Sequence, residues 1–167
     1  MSTTATTTAA HGWTIATPAG SLSVVADGEL VIASGFCELT ELTGRIDETV
    51  KPSRASGAVA DAVRAYLSGE VMALDQVAVH QTGGPFSQEA WRAMREIPPG
   101  ETWSYRDLAT KAGRPDAVRA AGTACARNMV APFVPCHRVV RSDGTLGGYA
   151  YGLDVKRWLL AHEAASR

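Results

Sequence analysis

The segment Phe133–Val140 reads FVPCHRVV and sets Cys136 between Pro135 and His137, two residues before Arg138. A structural cysteine needs no such neighbours. A thiol becomes a nucleophile by losing its proton, and its ordinary pKa of ~8.5 falls at helix N-termini and beside cations. Proline suits the first position of a helix, where its missing N–H is not needed. The segment therefore reads as a helix start, with Cys136 in the first turn at the positive end of the dipole. His137 and Arg138 add positive or polarising groups, and a thiol pKa of roughly 5–7 is expected. Adjacent residues do not face each other on a helix, so His137 reaches Cys136 obliquely or through a water. Such a base needs a third group to orient it, and the acidic candidates beyond it are Asp143, Asp154 and Glu163.

The remaining cysteines, Cys37 and Cys125, leave an odd total with no CxxC spacing. That speaks against a disulfide framework and a cysteine-rich zinc site, and for a reducing cytoplasm. Cys37 reads as a small buried hydrophobe. Cys125 would serve as a resolving thiol only if it lay close to Cys136. His11, His80 and His162 read as surface or satisfied core histidines.

The elements that must position Cys136 fall into two sets. WTIAT, SLSVVA and LVIASGF are β-type runs separated by the turn signals PAG and DGE, which predicts a small antiparallel meander. Residues 56–70 place Val59, Val63, Tyr66 and Leu67 at helical spacing. Gly83–Gly84 marks a boundary. The expected division is a disordered tail over 1–11, an N-terminal α/β domain over 12–83 and a helical domain over 84–167. In the latter, residues 87–97 start at a Ser87 N-cap, with Trp91, Met94 and Ile97 on one face. Residues 104–113 form a short helix stopped by Gly113, and 116–128 another. This is the outline of a helix-turn-helix, although a plain αα-hairpin has the same spacing. A last helix has Asp154 as N-cap. The fold class is α+β: a small N-terminal α/β domain with a short antiparallel sheet, plus a mostly helical C-terminal domain with a helix-turn-helix.

Net charge is −1, with 46% apolar and 20% charged residues, a globular composition. Residues 1–83 hold 4 Lys/Arg against 9 Asp/Glu and residues 84–167 hold 12 against 8, so the C-terminal half is basic. That asymmetry points to a polyanion partner. No apolar run approaches the ~20 residues of a membrane span, and no signal peptide is evident. The second helix of the pair carries few base-reading side chains. Ala117, Ala120, Gly122 and Thr123 are small, and Arg119 is nearly alone among them. Small residues suit close approach to the minor groove, whose degenerate code needs little hydrogen-bond readout. One long cation among them suits a wedge replacing a base taken out of the stack. Close packing on a neighbouring helix would need the same small residues.

VPCHRVV, followed by GGYAYG and KRWLLAHE, resembles the O6-alkylguanine-DNA alkyltransferase family over roughly residues 86–163. The resemblance implies repair of alkylated double-stranded DNA by irreversible, single-turnover transfer to Cys136, with no cofactor and no metal. O4-alkylthymine stays open as a second substrate. It implies His137 as a water-mediated base, Glu163 as the carboxylate holding it, and Asn128 as a brace of the active-site turn. Tyr105 is implied as the donor to guanine N3, and Arg119 as the finger filling the vacated stack. Val139 and the backbone at Tyr149 and Ala150 are implied pocket groups, and Lys156 a support for the loop above. The chain departs from the family pattern in two places. Met129 follows Asn128 where proline is frequent, which implies a less rigid turn. Ala150 and Tyr151 stand where some members have Ser and Gly, which implies a narrower pocket mouth. The expected protein is a cytoplasmic monomer, with cooperativity on DNA left open. A non-catalytic lesion binder would lack Cys136, and a transcriptional regulator would carry more base-reading side chains.

Overall fold

The computed structural model describes residues 9–166. Strands β1 (Ala10–Thr17), β2 (Gly20–Asp27) and β3 (Leu30–Gly35) form the expected antiparallel meander. Asp27 pairs with Leu30, so Gly28 falls in a two-residue turn, and its φ of 61° is the left-handed conformation that a tight hairpin requires. The short helix α1 (Leu39–Thr43) leads to β4 (Val50–Pro52), which pairs parallel to β1, giving the order β3-β2-β1-β4. The sheet is therefore not purely antiparallel. The tail expected over 1–11 lies mostly outside the described residues, but Ala10 and His11 already belong to β1.

Helix α2 (Ala58–Leu67) lays Val59, Val63 and Tyr66 into the core. Helix α3 (Pro85–Met94) begins three residues earlier than the Ser87 cap predicts. Gly84 is its N-cap and Pro85 its first residue, where a missing N–H costs nothing. Strand β5 (Trp103–Ser104) runs into α4 (Tyr105–Lys111) through a capping box: Asp107 N–H donates to Ser104 Oγ at 3.0 Å, and Ser104 N–H to Asp107 Oδ2 at 2.9 Å. A turn through Gly113 leads to α5 (Val118–Ala126), which packs on α4 and α3. Helix α6 (Leu153–Ala165) takes Gly152, not Asp154, as N-cap. Asp154 lies in its first turn, on the surface, paired with Arg157 at 3.1 Å.

The two halves share one core. Trp13, Leu22 and Val24 of the sheet and Val63 of α2 belong to the same buried cluster as Trp91, Met94, Phe133 and Leu159. The Gly83–Gly84 boundary is thus a joint in the chain and not a gap in the packing. Ser34 N–H donates to Met129 O at 2.8 Å, tying β3 to the segment before Cys136. The short strand β6 (Val139–Val140) pairs parallel to β5, with Trp103 opposite Val139. That pairing sets Tyr105, the first residue of α4, beside the turn that carries Cys136. No helix among the described residues is long and apolar enough to cross a membrane.

Candidate active site

Cys136, His137 and Arg138 form a single 3-10 turn, not the start of an α-helix. Pro135 has ψ 65°, outside helical geometry, and three residues align too few peptide dipoles to act as a helix N-terminus. The turn points its three side chains to different tasks.

Cys136 is 7% exposed and lies against a cavity of about 330 Å³ lined by Tyr105, Gly122, Cys125, Tyr149 and Ala150. Burial pushes its thiol pKa up, and the Asn128 amide, the Lys156 ammonium and a backbone N–H only partly oppose that. This corrects the expectation of a depressed pKa. Arg138, counted from sequence as an activating cation, turns away from the sulfur: Nε and Nη2 reach the Glu163 carboxylate at 2.9 and 3.1 Å. Its Nη1 donates to Ile97 O at 2.8 Å and approaches Asp75 at 3.3 Å.

His137 Nε2 lies 2.8 Å from Glu163 Oε2, with both residues 0% exposed. Burial alone would raise the Glu163 carboxyl, but His137 and Arg138 pull it well below the usual carboxylate range. An ionised carboxylate only accepts, so Nε2 carries the hydrogen and Nδ1 keeps its lone pair; the tautomer is assigned from this partner. Nδ1 is buried and makes no hydrogen bond to any described residue, so it keeps a free basic lone pair. Burial holds the His137 pKa below its ordinary value despite Glu163, so the imidazole is neutral at rest. The resting pair is thiol and imidazole, not thiolate and imidazolium.

Glu163 has a further partner that the sequence did not disclose. Tyr66 of α2 donates its hydroxyl to Oε2 at 2.6 Å. In the sequence Tyr66 reads only as part of an apolar helix face, and nothing local marks its hydroxyl as engaged. Asp75 was missed for the same reason.

Asn128 accepts from Val130 N–H at 3.2 Å and donates to Val134 O at 2.8 Å, bracing the segment that leads to Cys136. Lys156 is 0% exposed, and its ammonium donates to the carbonyls of Val139, Leu146 and Gly148 at 2.7, 2.5 and 3.2 Å. It thereby ties β6 to the loop that carries Tyr149 and Ala150. Tyr105 lines the cavity, and burial raises its phenol pKa, which keeps it a proton donor at neutral pH. Val139 is fully buried in β6 and does not line the cavity.

Tyr151 does not narrow the pocket mouth. Its ring turns towards the N-terminal sheet: Arg45 Nη1 donates to its hydroxyl at 3.3 Å, with the guanidinium carbon 5.8 Å from the ring centre. Phe36 meets it edge-on at 6.2 Å, and Tyr149 at 5.8 Å. On α5, Arg119, Ala120 and Thr123 are exposed, whereas Ala117 and Gly122 are half-buried. Thr123 Oγ1 donates back to Arg119 O at 3.1 Å. Arg127 follows at the same four-residue spacing and is exposed, a second cation on this face that sequence reading passed over.

The fold and site define a protein with a buried cysteine against an apolar cavity, and beside it an imidazole anchored by a buried carboxylate. Residues 85–165 match the family described as 6-O-methylguanine DNA methyltransferase, DNA binding domain. A methylated-DNA–protein-cysteine methyltransferase of Mycobacterium bovis is 40% identical over 153 residues, covering 92% of each chain. The crystal structure of a Mycobacterium tuberculosis O6-methylguanine methyltransferase superimposes with a TM-score of 0.80 at 37% identity, over 95% of this chain and 94% of that one. A structure of M. tuberculosis OGT in complex with DNA gives 0.79 at 38% identity, over 93% and 94%. The chain belongs to the methylated-DNA–protein-cysteine methyltransferase family.

Proposed function

We propose that this protein repairs alkylated duplex DNA by direct reversal, moving the alkyl carbon from O6 of guanine to Sγ of Cys136, once per molecule. The observation that carries this reading is the cavity over the Cys136 sulfur. Its volume of about 330 Å³ lies in the range of small-molecule sites, and it is lined by a phenol at Tyr105 and ring and backbone groups at Tyr149 and Ala150. An enzyme that acts on a base inside a duplex must take it out of the stack, and such a cavity is where it goes.

Helices α4 and α5 serve as the helix-turn-helix, with phosphate contacts supplying affinity and the small face of α5 supplying fit. Arg119 occupies the gap that the flipped base leaves. Because Cys136 rests as a thiol, its proton moves during attack: His137 Nδ1 takes it, directly or through one water, as sulfur bonds to the alkyl carbon. The C–O6 bond breaks, and Tyr105 delivers a proton to N3 so that guanine leaves neutral. The developing imidazolium is met by the Glu163 charge. The product is a thioether, a poor leaving group, so Cys136 is not regenerated. Residues 84–167 carry DNA binding and transfer, and residues 12–83 brace them. The protein works as a cytoplasmic monomer.

Intact mass and peptide mapping after incubation with duplex DNA holding one O6-methylguanine test this reading. The expected result is one added methylene on the Cys136 peptide, absent in Cys136→Ser, which still binds DNA because affinity comes from phosphate contacts. Methyl transfer that persists in Cys136→Ser overturns the assignment.

A further inference from the structure

Gln81 lies in the extended segment before Gly83–Gly84, and its side chain is buried. Both ends of its carboxamide are engaged. Nε2 donates to Asn128 Oδ1 at 3.0 Å, and Oε1 accepts the Met129 N–H at 2.8 Å, across sequence separations of 47 and 48 residues. The Gln81 backbone is itself held, since Gln88 of α3 donates its amide to Gln81 O at 2.8 Å. The consequence falls on Asn128. Its Oδ1 receives two donors, Gln81 Nε2 and Val130 N–H, while Nδ2 donates to Val134 O. A flipped amide would set donor against donor and acceptor against acceptor, so this pattern admits one orientation. In that orientation Nδ2 holds Val134 O, the carbonyl that also accepts the Cys136 N–H at 2.9 Å, and the amide opposes the upward shift of the Cys136 thiol.

We propose that Gln81 is a positioning residue for the nucleophile: it clamps the Asn128–Met129 turn so that the Asn128 amide holds Val134 O and, through it, the backbone that carries the Cys136 sulfur. The clamp needs a donor and an acceptor at one end of a side chain of this reach, which a carboxamide supplies. It also needs residue 129 to keep its N–H. Met129 does, at the position where the family resemblance makes proline frequent, and Gln81 takes that N–H. The looser turn inferred from the missing proline is thereby tightened from the other half of the chain. Gln81 touches neither the cavity over the sulfur nor the imidazole, and it acts through Asn128.

The inference rests on Cys136 being the alkyl acceptor. It is tested with full-length wild type, Gln81→Leu and Gln81→Met, the last matching the length of glutamine should leucine not fold. Three quantities are measured: the single-turnover rate on O6-methylguanine duplex at saturating protein, the pH profile of Cys136 alkylation by iodoacetamide, and the melting temperature. Both variants are expected to transfer roughly five- to a hundredfold more slowly, the range for two neutral hydrogen bonds. The Cys136 alkylation profile should shift to higher pH. A purely structural role lowers the melting temperature and leaves that profile in place, so an unshifted profile overturns the proposal whatever the melting temperature does. Failure of the underlying reading shows differently, as wild-type protein that carries no methyl group on Cys136.

Discussion

Replacing Tyr66 by phenylalanine removes one oxygen from the buried cluster around Glu163 and keeps the ring. The hydroxyl donates to Oε2 at 2.6 Å, where His137 at 2.8 Å and Arg138 Nη2 at 3.1 Å compete for the same atom. A hydrogen bond to a charged group is worth about 1.5–3 kcal/mol. A protein of this size loses about 2–4 °C of melting temperature per kcal/mol, so Tyr66→Phe should melt roughly 3–12 °C lower. Burial and the neighbouring Glu163 drive the Tyr66 pKa far up, so the group is a neutral donor throughout the working range. The loss should therefore not vary with pH near neutrality. The chemistry changes in a different way. Relieved of one donor, Oε2 accepts more strongly from His137, and the imidazole becomes more basic. The limb of the pH–rate profile that reports His137 should move to higher pH, while the transfer rate falls by less than about tenfold because the Glu163 charge and the Arg138 fork remain. Thermal unfolding and single-turnover transfer across pH measure both effects. An unchanged melting temperature would show that the hydrogen bond contributes nothing net. A rate loss beyond about a hundredfold would place the tyrosine in the reaction itself and refute the positioning argument.

Acid should destabilise the protein through the same cluster. Glu163 has a folded pKa below its unfolded value of ~4.3, so its contribution is complete above that pH and lost as pH falls below it. His137, also depressed by burial, adds a loss of the same sign that begins near ~6.5. Glu163→Gln should flatten the lower part of this curve and cost about 3–5 kcal/mol at neutral pH, since it leaves Arg138 buried without its main partner; denaturant titrations at several pH values check both. Arg119→Ala should slow repair of duplex DNA roughly ten- to a thousandfold and leave transfer from free O6-benzylguanine nearly unchanged, since only the duplex requires flipping. Equal slowing on both substrates would mean that the substitution disturbs the pocket, and the finger assignment would fail.

The chemistry of this chain is concentrated in a short motif, and a short motif is what a sequence shows well. Cys136, His137 and the helix pair at 105–126 were legible because the residue types are unusual and the signals local: a stopping glycine, a run of small residues, a cysteine framed by proline and histidine. The direction of the thiol shift was not legible. Proline before cysteine suggests a helix start, but whether the turn continues depends on β6 pairing with β5, a contact between residues 36 apart in sequence. Arg138 was misread for a related reason. Adjacency to Cys136 is visible in one dimension, whereas its engagement with Glu163 and Asp75 is not. Tyr66, Asp75 and Gln81 were passed over because each acts through the polar end of an otherwise ordinary side chain, and only the fold brings that end to the site. The N-terminal half, the least distinctive part of the sequence, supplies all three.

The Tyr151 ring has a consequence for how this chain can change over generations. A Cβ built on Gly35 would fall 2.0 Å from the Tyr151 hydroxyl, so any residue larger than glycine there collides with the tyrosine. The two positions are 116 apart in sequence, yet the overlap couples what each can become. A lineage that first enlarges residue 35 displaces the tyrosine and loosens the loop beside Tyr149. One that first shrinks residue 151 gives up the contact with Arg45 and removes the three atoms that a side chain at 35 would meet first. Ancestral reconstructions along this branch should record the second order: glycine at 35 wherever tyrosine stands at 151, and variation at 35 only after the ring has gone.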